Sequence, residues 1–190
     1  MNPDIEAIFL DVGNTLRIVL PEPDFQAQAR QQLMQLIGSK EDQVAFFEKV
    51  EERWKAYRKY SKNSLLEASE LELWTQWLLP DYPIEIIAPH TSRLTRLWRD
   101  RDGRRVARHD AKQTIVELHN RGYKLGIIAN TITETEIPDW MITDGVTRYF
   151  KTVILSSKVR IRKPDPNIYW LAARVMGVSP ARCAYLGDNP

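Results

Sequence analysis

A short apolar run near the start of the chain, Ala7 to Leu10, is followed at once by Asp11 and a Val-Gly-Asn-Thr segment. An unbroken apolar run of this length is typical of a parallel strand that is buried on both faces of its sheet. Open α/β sheets bind ligands just beyond the carboxyl ends of their strands, so the run predicts that Asp11 lies at such an edge. This stretch constrains the fold most, because a strand buried on both faces requires helices on both sides of the sheet.

The composition fits one folded domain that can carry an inserted subdomain. The chain has 190 residues, and 43% of them are hydrophobic. The formal net charge of +2 is too small to indicate nucleic-acid binding, which requires a concentrated basic face. The single cysteine, Cys183, excludes an internal disulfide and fits a reducing compartment. No apolar run approaches the roughly 20 residues that span a bilayer, so we expect a cytoplasmic protein without a membrane partner.

The pattern becomes helical after Thr15 and stays helical for most of the next hundred residues. Four amphipathic segments follow one another, and they begin near Asp24, Glu41, Leu66 and Ile86. We expect the Ser61 to Ser64 stretch to end the second of them. Residues 17–108 are therefore predicted to form a helical bundle whose core is filled by the tryptophans Trp54, Trp74, Trp77 and Trp98.

Strand and helix patterns alternate from Asp110 onward. Apolar strands are predicted at Lys124 to Ala129, Thr152 to Leu155 and Cys183 to Leu186, with helices between them. This alternation predicts right-handed crossovers and a doubly wound parallel sheet, which is an α/β fold. Polar residues that directly follow strands should share one edge of the sheet, and they are Asp11, Asn130 and Asp188.

Four segments resemble motifs I to IV of the haloacid dehalogenase-like (HAD) hydrolases, in order and at family spacing. These segments are Asp11–Leu16, Ile127–Asn130, Arg162–Pro166 and Leu186–Asp188. The resemblance covers the whole chain and implies a Rossmann-like HAD core built from residues 1–16 and 109–190. Residues 17–108 would then be the helical cap that is inserted after the first strand.

The resemblance also implies a Mg²⁺-dependent phosphatase that acts on a small phosphorylated metabolite. Asp11 would attack phosphorus and form an aspartyl-phosphate, while Lys163 stabilises the charge that builds up during transfer. The Mg²⁺ ion would be held by Asp11, by the backbone carbonyl of Gly13 and by Asp188. The phosphate-binding residues that the resemblance implies are Val12, Gly13, Thr15, Asn130 and Lys163.

Two positions depart from the family pattern. Gly13 stands where the family has a second Asp that acts as acid and base, and its absence typically removes about 10² to 10⁴ in rate. Ala129 stands where the family has a Ser or Thr that donates a hydrogen bond to phosphate. That contact is lost unless Thr131 or Thr133 supplies it. We therefore expect slow or impaired turnover but an intact metal site, because the metal ligand at position 13 is a backbone carbonyl.

Two other functions stay open at this point. A catalytically silent HAD-like module would bind a phosphorylated ligand or a protein partner, which Gly13 and Ala129 favour. Some relatives without the second Asp cleave carbon–phosphorus bonds through a cap lysine, and others displace halide. The candidate lysines are Lys49, Lys55, Lys59 and Lys62. Nothing in their sequence context indicates that one of them has a lowered pKa. The substrate and the oligomeric state are not specified by the sequence.

Three polar features allow more than one interpretation. The arginines between Arg93 and Arg108 form either a patch for an anionic substrate or a solvated hinge, and the interleaved Asp100 and Asp102 favour the hinge. Asn130 is either a site residue or the cap of the following helix. Asp165 is either a catalytic acid or an N-terminal helix residue, and we expect the helix role.

The chain ends at Pro190, two residues after Asp188, whereas the family continues with another acidic metal-site residue, a helix and usually a fifth strand. We therefore expect a fragment or a truncated product that lacks the C-terminal strand. The Cys183 to Leu186 strand would then be an unprotected apolar edge, which favours association or instability. This expectation is wrong if the chain is monodisperse and melts cooperatively at micromolar concentration.

Overall fold

The computed structural model describes residues 4–188 and contains a four-stranded parallel sheet and a two-stranded antiparallel ribbon. The strands are β1 (Ala7–Leu10), β2 (Arg17–Leu20), β3 (Arg104–Ala107), β4 (Lys124–Ala129), β5 (Phe150–Leu155) and β6 (Cys183–Leu186). The parallel sheet has the strand order β5-β4-β1-β6, and β2 pairs with β3 in the ribbon. The predicted α/β fold is therefore confirmed. The ends of the predicted core, residues 1–3 and 189–190, lie outside the described residues.

The helices occupy most of the remaining chain. Within residues 4–188 the α-helices are α1 (Pro23–Leu36), α2 (Gln43–Ser64), α3 (Glu70–Glu72), α4 (Ile84–Ile87), α5 (Thr91–Asp100), α6 (Ala111–Asn120), α7 (Glu136–Thr143), α8 (Ser156–Val159) and α9 (Pro166–Met176). A π-helix spans Leu73–Leu78, and short 3₁₀ turns span Ala88–His90, Thr147–Tyr149 and Pro180–Arg182. None of these helices combines the length and apolar character that crossing a membrane requires.

Helices cover both faces of the parallel sheet. Alternate side chains of β1 enter different cores, because Ile8 and Leu10 pack with α6 and α7 while Phe9 packs with α9. Gly126 of β4 leaves space for the Phe9 ring, since an added Cβ would lie 2.6 Å from two of its ring carbons. The strand that carries Asp11 at its end is thus buried on both sides, as its apolar sequence predicts.

The helical layer, defined as residues 23–100, has a hydrophobic core of its own. Trp74 and Trp98 are fully buried there, and the indole N–H of Trp74 donates a hydrogen bond to Thr95 Oγ1 at 2.8 Å. Ile132, from the loop after β4, also joins this core. The tryptophans therefore fill the interior as predicted, with Trp54 and Trp77 packed against its margin. The assignment of residues 17–108 as a separate cap stays a prediction.

One local feature, the two-stranded ribbon, differs from the sequence-based expectations. The ribbon of β2 and β3 was not predicted, because short strands rich in charged residues give little strand signal. The expectation that the Ser61 to Ser64 stretch ends the second helix is confirmed, since α2 ends at Ser64 and the following Leu65 has a φ of +57°. Ser61 is buried and accepts a hydrogen bond from Arg162, so it is also a contact between layers.

A buried polar network joins the helical layer to the sheet. Glu67 forms an ion pair with Arg162 at 3.0 Å, and both side chains are more than nine-tenths buried. Tyr57 and Ser156 each donate a hydroxyl hydrogen bond to the Glu67 carboxylate. Burial raises the pKa of Glu67, although Arg162 and the two hydroxyls act in the opposite direction. The network fixes Arg162, and hence the start of the segment that carries Lys163.

Removal of the Glu67 carboxylate should destabilise the protein strongly. Glu67→Ala leaves the buried guanidinium of Arg162 without a counter-charge, so we expect a loss of about 3–5 kcal/mol in the free energy of unfolding. Urea unfolding measures this loss, and Glu48→Ala, at an exposed position of α2, is the matched control. The control should change the free energy by no more than about 0.5 kcal/mol. Similar losses in the two variants would contradict the role given to Glu67.

Candidate active site

Asp11 directly follows β1 at the edge of the sheet. Its backbone N–H donates a hydrogen bond to the carbonyl oxygen of Leu186 at 2.8 Å, which sets it beside the end of β6. Lys163 Nζ lies 2.9 Å from Asp11 Oδ1, and the side chains are 10% and 17% exposed. Burial lowers the pKa of Lys163, although the Asp11 carboxylate opposes this shift. A carboxylate and an ammonium group that are far apart in sequence thus form a shielded ion pair.

Asn130 holds the segment that carries Lys163. Asn130 Nδ2 donates a hydrogen bond to the carbonyl oxygen of Lys163 at 2.9 Å, and the Lys163 N–H donates to Asn130 Oδ1 at 2.8 Å. The interpretation of Asn130 as a helix cap is wrong, because α7 begins at Glu136, whose N–H donates to Thr133 Oγ1. Asp165 accepts a hydrogen bond from the N–H of Asn167 at the start of α9, so its predicted helix role is confirmed.

Asp188 lies beside the loop that follows β1. Asn14 Nδ2 donates a hydrogen bond to Asp188 Oδ2 at 2.9 Å. The φ of Asn14 is +53°, a left-handed conformation that asparagine tolerates better than most residues. The structure therefore brings the ends of β1, β4 and β6 together, as expected for polar residues that follow parallel strands.

These side chains line one cleft of about 730 Å³. The strand-end residues Asp11, Asn130 and Asp188 form one part of it, together with Lys163. Arg162, the first residue of the Arg162–Pro166 segment, also lines the cleft. Further lining residues that were not predicted are Arg58, Tyr169 and Tyr185. No local pattern marks these three, because they reach the cleft from α2, from α9 and from β6.

Tyr185 contacts the Asp11–Lys163 ion pair directly. The Lys163 ammonium group donates a hydrogen bond to the Tyr185 hydroxyl and lies 4.8 Å from the centre of its ring. Burial raises the pKa of Tyr185, and the negative charge of Asp11 adds to this shift. The Tyr169 ring packs edge-on against Tyr185 with their centroids 5.3 Å apart. The two rings restrict the position of the Lys163 side chain.

The donor atoms at this edge fit a Mg²⁺ ion. Asp11 and Asp188 carry carboxylate oxygens, and both residues line the cleft together with Gly13. Within residues 4–188 there is no cluster of three or more His, Cys, Asp or Glu side chains that could hold a metal. Magnesium typically uses one or two protein carboxylates and completes its shell with waters and substrate phosphate oxygens. The donor set therefore suits this ion better than one that needs a full protein cage.

Position 13 has room for a side chain although it carries none. A Cβ added to Gly13 would have no heavy atom within 4 Å outside its chain neighbours, and the φ of Gly13 lies outside the left-handed region.

Glu136 does not supply the acid that the family has at position 13. Burial acts to raise the pKa of Glu136, but ion pairs with Arg99 and Arg105 hold it below its ordinary value. Glu136 is therefore ionised and cannot donate a proton at neutral pH.

The other groups that were predicted to contact phosphate either form hydrogen bonds within the protein or are buried. The Val12 N–H donates to Asp11 Oδ1 at 2.7 Å, so it reaches phosphate only if that hydrogen bond breaks. Thr15 Oγ1 is buried and has no hydrogen-bond partner among residues 4–188. Thr131 Oγ1 accepts from the N–H of Thr133, and Thr133 Oγ1 accepts from the start of α7. Ala129 is buried and carries no hydroxyl group.

The expectation of a solvated hinge is wrong for part of the arginine-rich segment. The side chains of Arg99 and Arg105 are only 24% and 12% exposed, and both pair with Glu136. Arg17 of β2, which was not predicted to belong to this group, also pairs with Glu136 and is 10% exposed. The three guanidinium groups converge because the ribbon of β2 and β3 packs beside α5 and α7.

Comparison with known proteins agrees with this fold. The model of the haloacid dehalogenase-like hydrolase family matches residues 5–190. A glyceraldehyde 3-phosphate phosphatase from Methanopyrus kandleri is 31% identical over 97 residues, which are 44% of this chain and 40% of that protein. A phosphoserine phosphatase from Thermus thermophilus is 31% identical over 81 residues, which are 43% of this chain and 32% of that protein. The matches thus span less than half the length of either relative.

A solved structure extends the similarity to the whole described fold. The crystal structure of a 2-haloacid dehalogenase from Pseudomonas syringae pv. Tomato DC3000 superposes with a TM-score of 0.67 and 17% sequence identity. The superposition covers 98% of this chain and 79% of that chain. At this level of identity the similarity shows a shared fold and carries no conclusion about the reaction.

The two hydrogen bonds between Asn130 and the Lys163 backbone should contribute measurably to stability. Asn130→Ala removes both, so we expect a loss of roughly 2 kcal/mol in the free energy of unfolding. Urea unfolding provides the measurement. The control is Asn167→Ala, because the exposed Asn167 side chain bonds only within its own helix start. If the two variants unfold at the same urea concentration, Asn130 does not hold the segment that carries Lys163.

Proposed function

The chain belongs to the haloacid dehalogenase-like hydrolases, and we propose that it is a phosphatase that hydrolyses a small phosphorylated metabolite. The observation that carries the proposal is the Asp11–Lys163 ion pair in a cleft at the ends of parallel strands. The names of the two similar phosphatases support the reaction class. We include in this proposal a small-molecule substrate and a location in the cytoplasm. We also propose that the protein has no nucleic-acid or membrane partner, and the net charge of only +2 supports the absence of a nucleic-acid partner.

Asp11 is the proposed nucleophile. One of its carboxylate oxygens forms a bond to phosphorus while the bond between phosphorus and the ester oxygen breaks, which leaves an aspartyl-phosphate and an alkoxide. Lys163 holds a positive charge beside Asp11 and so reduces the repulsion between carboxylate and phosphate. Water then attacks the phosphorus of the aspartyl-phosphate, which releases phosphate and restores the Asp11 carboxylate.

Gly13 makes both steps slow. The leaving alkoxide must take its proton from water, and the attacking water must lose its proton without a side-chain base at position 13. The absence of a positioned acid and base lowers the rate by about 10² to 10⁴. Binding of the phosphate group does not depend on this proton transfer. We therefore expect the substrate to bind with measurable affinity although kcat is low.

Magnesium is the proposed cofactor. Asp11, the carbonyl oxygen of Gly13 and Asp188 would hold the ion, and Asn14 positions Asp188 through its side-chain hydrogen bond. When bound, the ion neutralises phosphate charge and orients the ester for attack in line with the leaving oxygen.

A lysine-based mechanism gains no support from Lys49. The Glu41 and Asp81 carboxylates raise its pKa although burial opposes them, whereas a lysine nucleophile needs a lowered pKa.

Loss of the Asp11 carboxylate should abolish phosphate release. Asp11→Asn keeps the shape of the side chain but removes the nucleophilic charge, so release of phosphate from a panel of esters with Mg²⁺ should fall to the rate without enzyme. Asp165→Asn is the matched control, because asparagine also caps helices and Asp165 does not line the cleft. Steady phosphate release by Asp11→Asn would refute the proposed mechanism.

A carboxyl group at position 13 should restore turnover. Gly13→Asp supplies the missing acid and base at a position that has room for it, so we expect kcat to rise by about 10² to 10⁴ with Mg²⁺ and a phosphate ester. Gly13→Asn adds a side chain of the same shape without a transferable proton and should stay slow. If Gly13→Asp binds phosphate mimics but shows no rise in kcat, the chain is a binding module and not a slow phosphatase.

A further inference from the structure

A second, smaller cavity of about 190 Å³ lies beside the cleft that contains Asp11. We call it the arginine pocket, because Arg17, Arg99 and Arg105 line it together with Glu136. Its other wall is formed by the loop after β1 and by the end of β4. The pocket has no role in the proposed reaction, yet it touches the same loop that carries the candidate nucleophile.

Contacts to a single carboxylate hold the three guanidinium groups in place. Arg17 Nη1 donates to Glu136 Oε1 at 2.8 Å, and Arg105 Nε lies 3.7 Å from the same oxygen. Arg99 pairs with the other carboxylate oxygen of Glu136. Arg17 also donates from Nη2 to the carbonyl oxygen of Arg105 at 2.9 Å. The pocket is therefore a preorganised set of donors and not a group of solvated side chains.

The charges that line the pocket do not balance. Three guanidinium groups face one carboxylate, so the lining carries an excess of positive charge in a largely buried place. Burial lowers the pKa of Arg105 to about 10, and the neighbouring Arg99 adds to this shift. Such an arrangement is costly unless an anion compensates it, because buried charges need partners.

Other charged groups surround the pocket without lining it. Asp102 lies 3.6 Å from Arg105 Nη2 but is about half exposed, and Asp100 has a pKa that burial raises. Arg96 pairs with the exposed Asp139. These outer groups moderate the field around the pocket, whereas the wall itself stays positive.

One donor of the pocket lacks a partner. The Arg17 side chain is nine-tenths buried, and its Nε has no hydrogen-bond partner among residues 4–188. The hydrogen-bonding capacity of the Arg17 guanidinium is therefore incompletely used at the wall of the pocket. The pocket and the cleft share Gly13, Asn14 and Asn130 as lining residues, so the two spaces adjoin and one small molecule can extend from one into the other.

We propose that the arginine pocket binds a carboxylate group of the substrate while the phosphate group of the same molecule lies at Asp11. The substrate would then be a phosphate ester of a small hydroxycarboxylic acid, and the inference rests on the phosphate site of the proposed function. A planar guanidinium matches a carboxylate through two parallel hydrogen bonds. The volume of the pocket is sufficient for a carboxylate group.

Isothermal titration calorimetry with two matched ligands tests this inference on the full chain in the presence of Mg²⁺. 3-Phosphoglycerate and glycerol 3-phosphate have the same carbon chain and differ in a carboxylate against a hydroxymethyl group. We expect the wild-type chain to bind 3-phosphoglycerate about tenfold or more tightly, because charge-assisted hydrogen bonds to the carboxylate are lost with the other ligand.

Arg105→Gln should reduce this preference to about twofold or less while the Kd for glycerol 3-phosphate stays nearly unchanged. Arg104→Gln is the matched control, because Arg104 is the preceding residue of β3, is half exposed and pairs with Glu22. It should keep the full preference. The wild-type ratio tests the inference even where Arg105→Gln does not fold.

The outcomes separate this inference from the proposed function. Equal binding of the two ligands by the wild-type chain would overturn the carboxylate site and leave the phosphate site intact. A parallel loss of both ligands in Arg105→Gln would also overturn it, since that result indicates a structural role alone. Failure of the wild-type chain to bind either ester would refute the phosphate site and, with it, this inference.

Discussion

The ion pair between Asp11 and Lys163 joins two segments that the fold holds in place by different means. Asp11 is held in place by the buried strand β1, whose backbone pairs with β4 on one side and with β6 on the other. Lys163 has no such strand, and its segment is held by Asn130 at one point and by the buried Glu67–Arg162 pair at the preceding residue. The site thus rests on two different kinds of support, a hydrophobic strand and a set of buried polar contacts.

Buried charge is used twice in this molecule, with opposite balance. In the network around Glu67, one carboxylate meets one guanidinium and two hydroxyl donors, so the buried charges compensate one another. Around Glu136 the same kind of carboxylate meets three guanidinium groups, and positive charge remains. The first arrangement joins the helical layer to the sheet. The second lies against the loop after β1, where surplus positive charge can act on an anionic ligand.

In the proposed mechanism, the absence of a side chain at Gly13 changes the proton transfer without changing the scaffold around it. Gly13 still lines the cleft, and the space for a side chain is still open. The carboxylate of Glu136 does not take over the proton transfer, because it is already engaged in ion pairs. The proposed slow turnover therefore follows from local chemistry and not from a damaged fold.

The sequence by itself determined the parallel sheet and the positions of Asp11, Asn130 and Asp188 at its edge, because uninterrupted apolar runs specify buried strands and the residues after them follow directly. It also indicated the helical region and the departures at Gly13 and Ala129. Only the tertiary structure decided that Asn130 holds the Lys163 backbone, that Tyr185 and Arg58 line the cleft, and that Arg17, Arg99 and Arg105 converge on Glu136. These contacts join residues that are distant in the chain through loops and a charged ribbon, where no local periodicity records which side chains will meet.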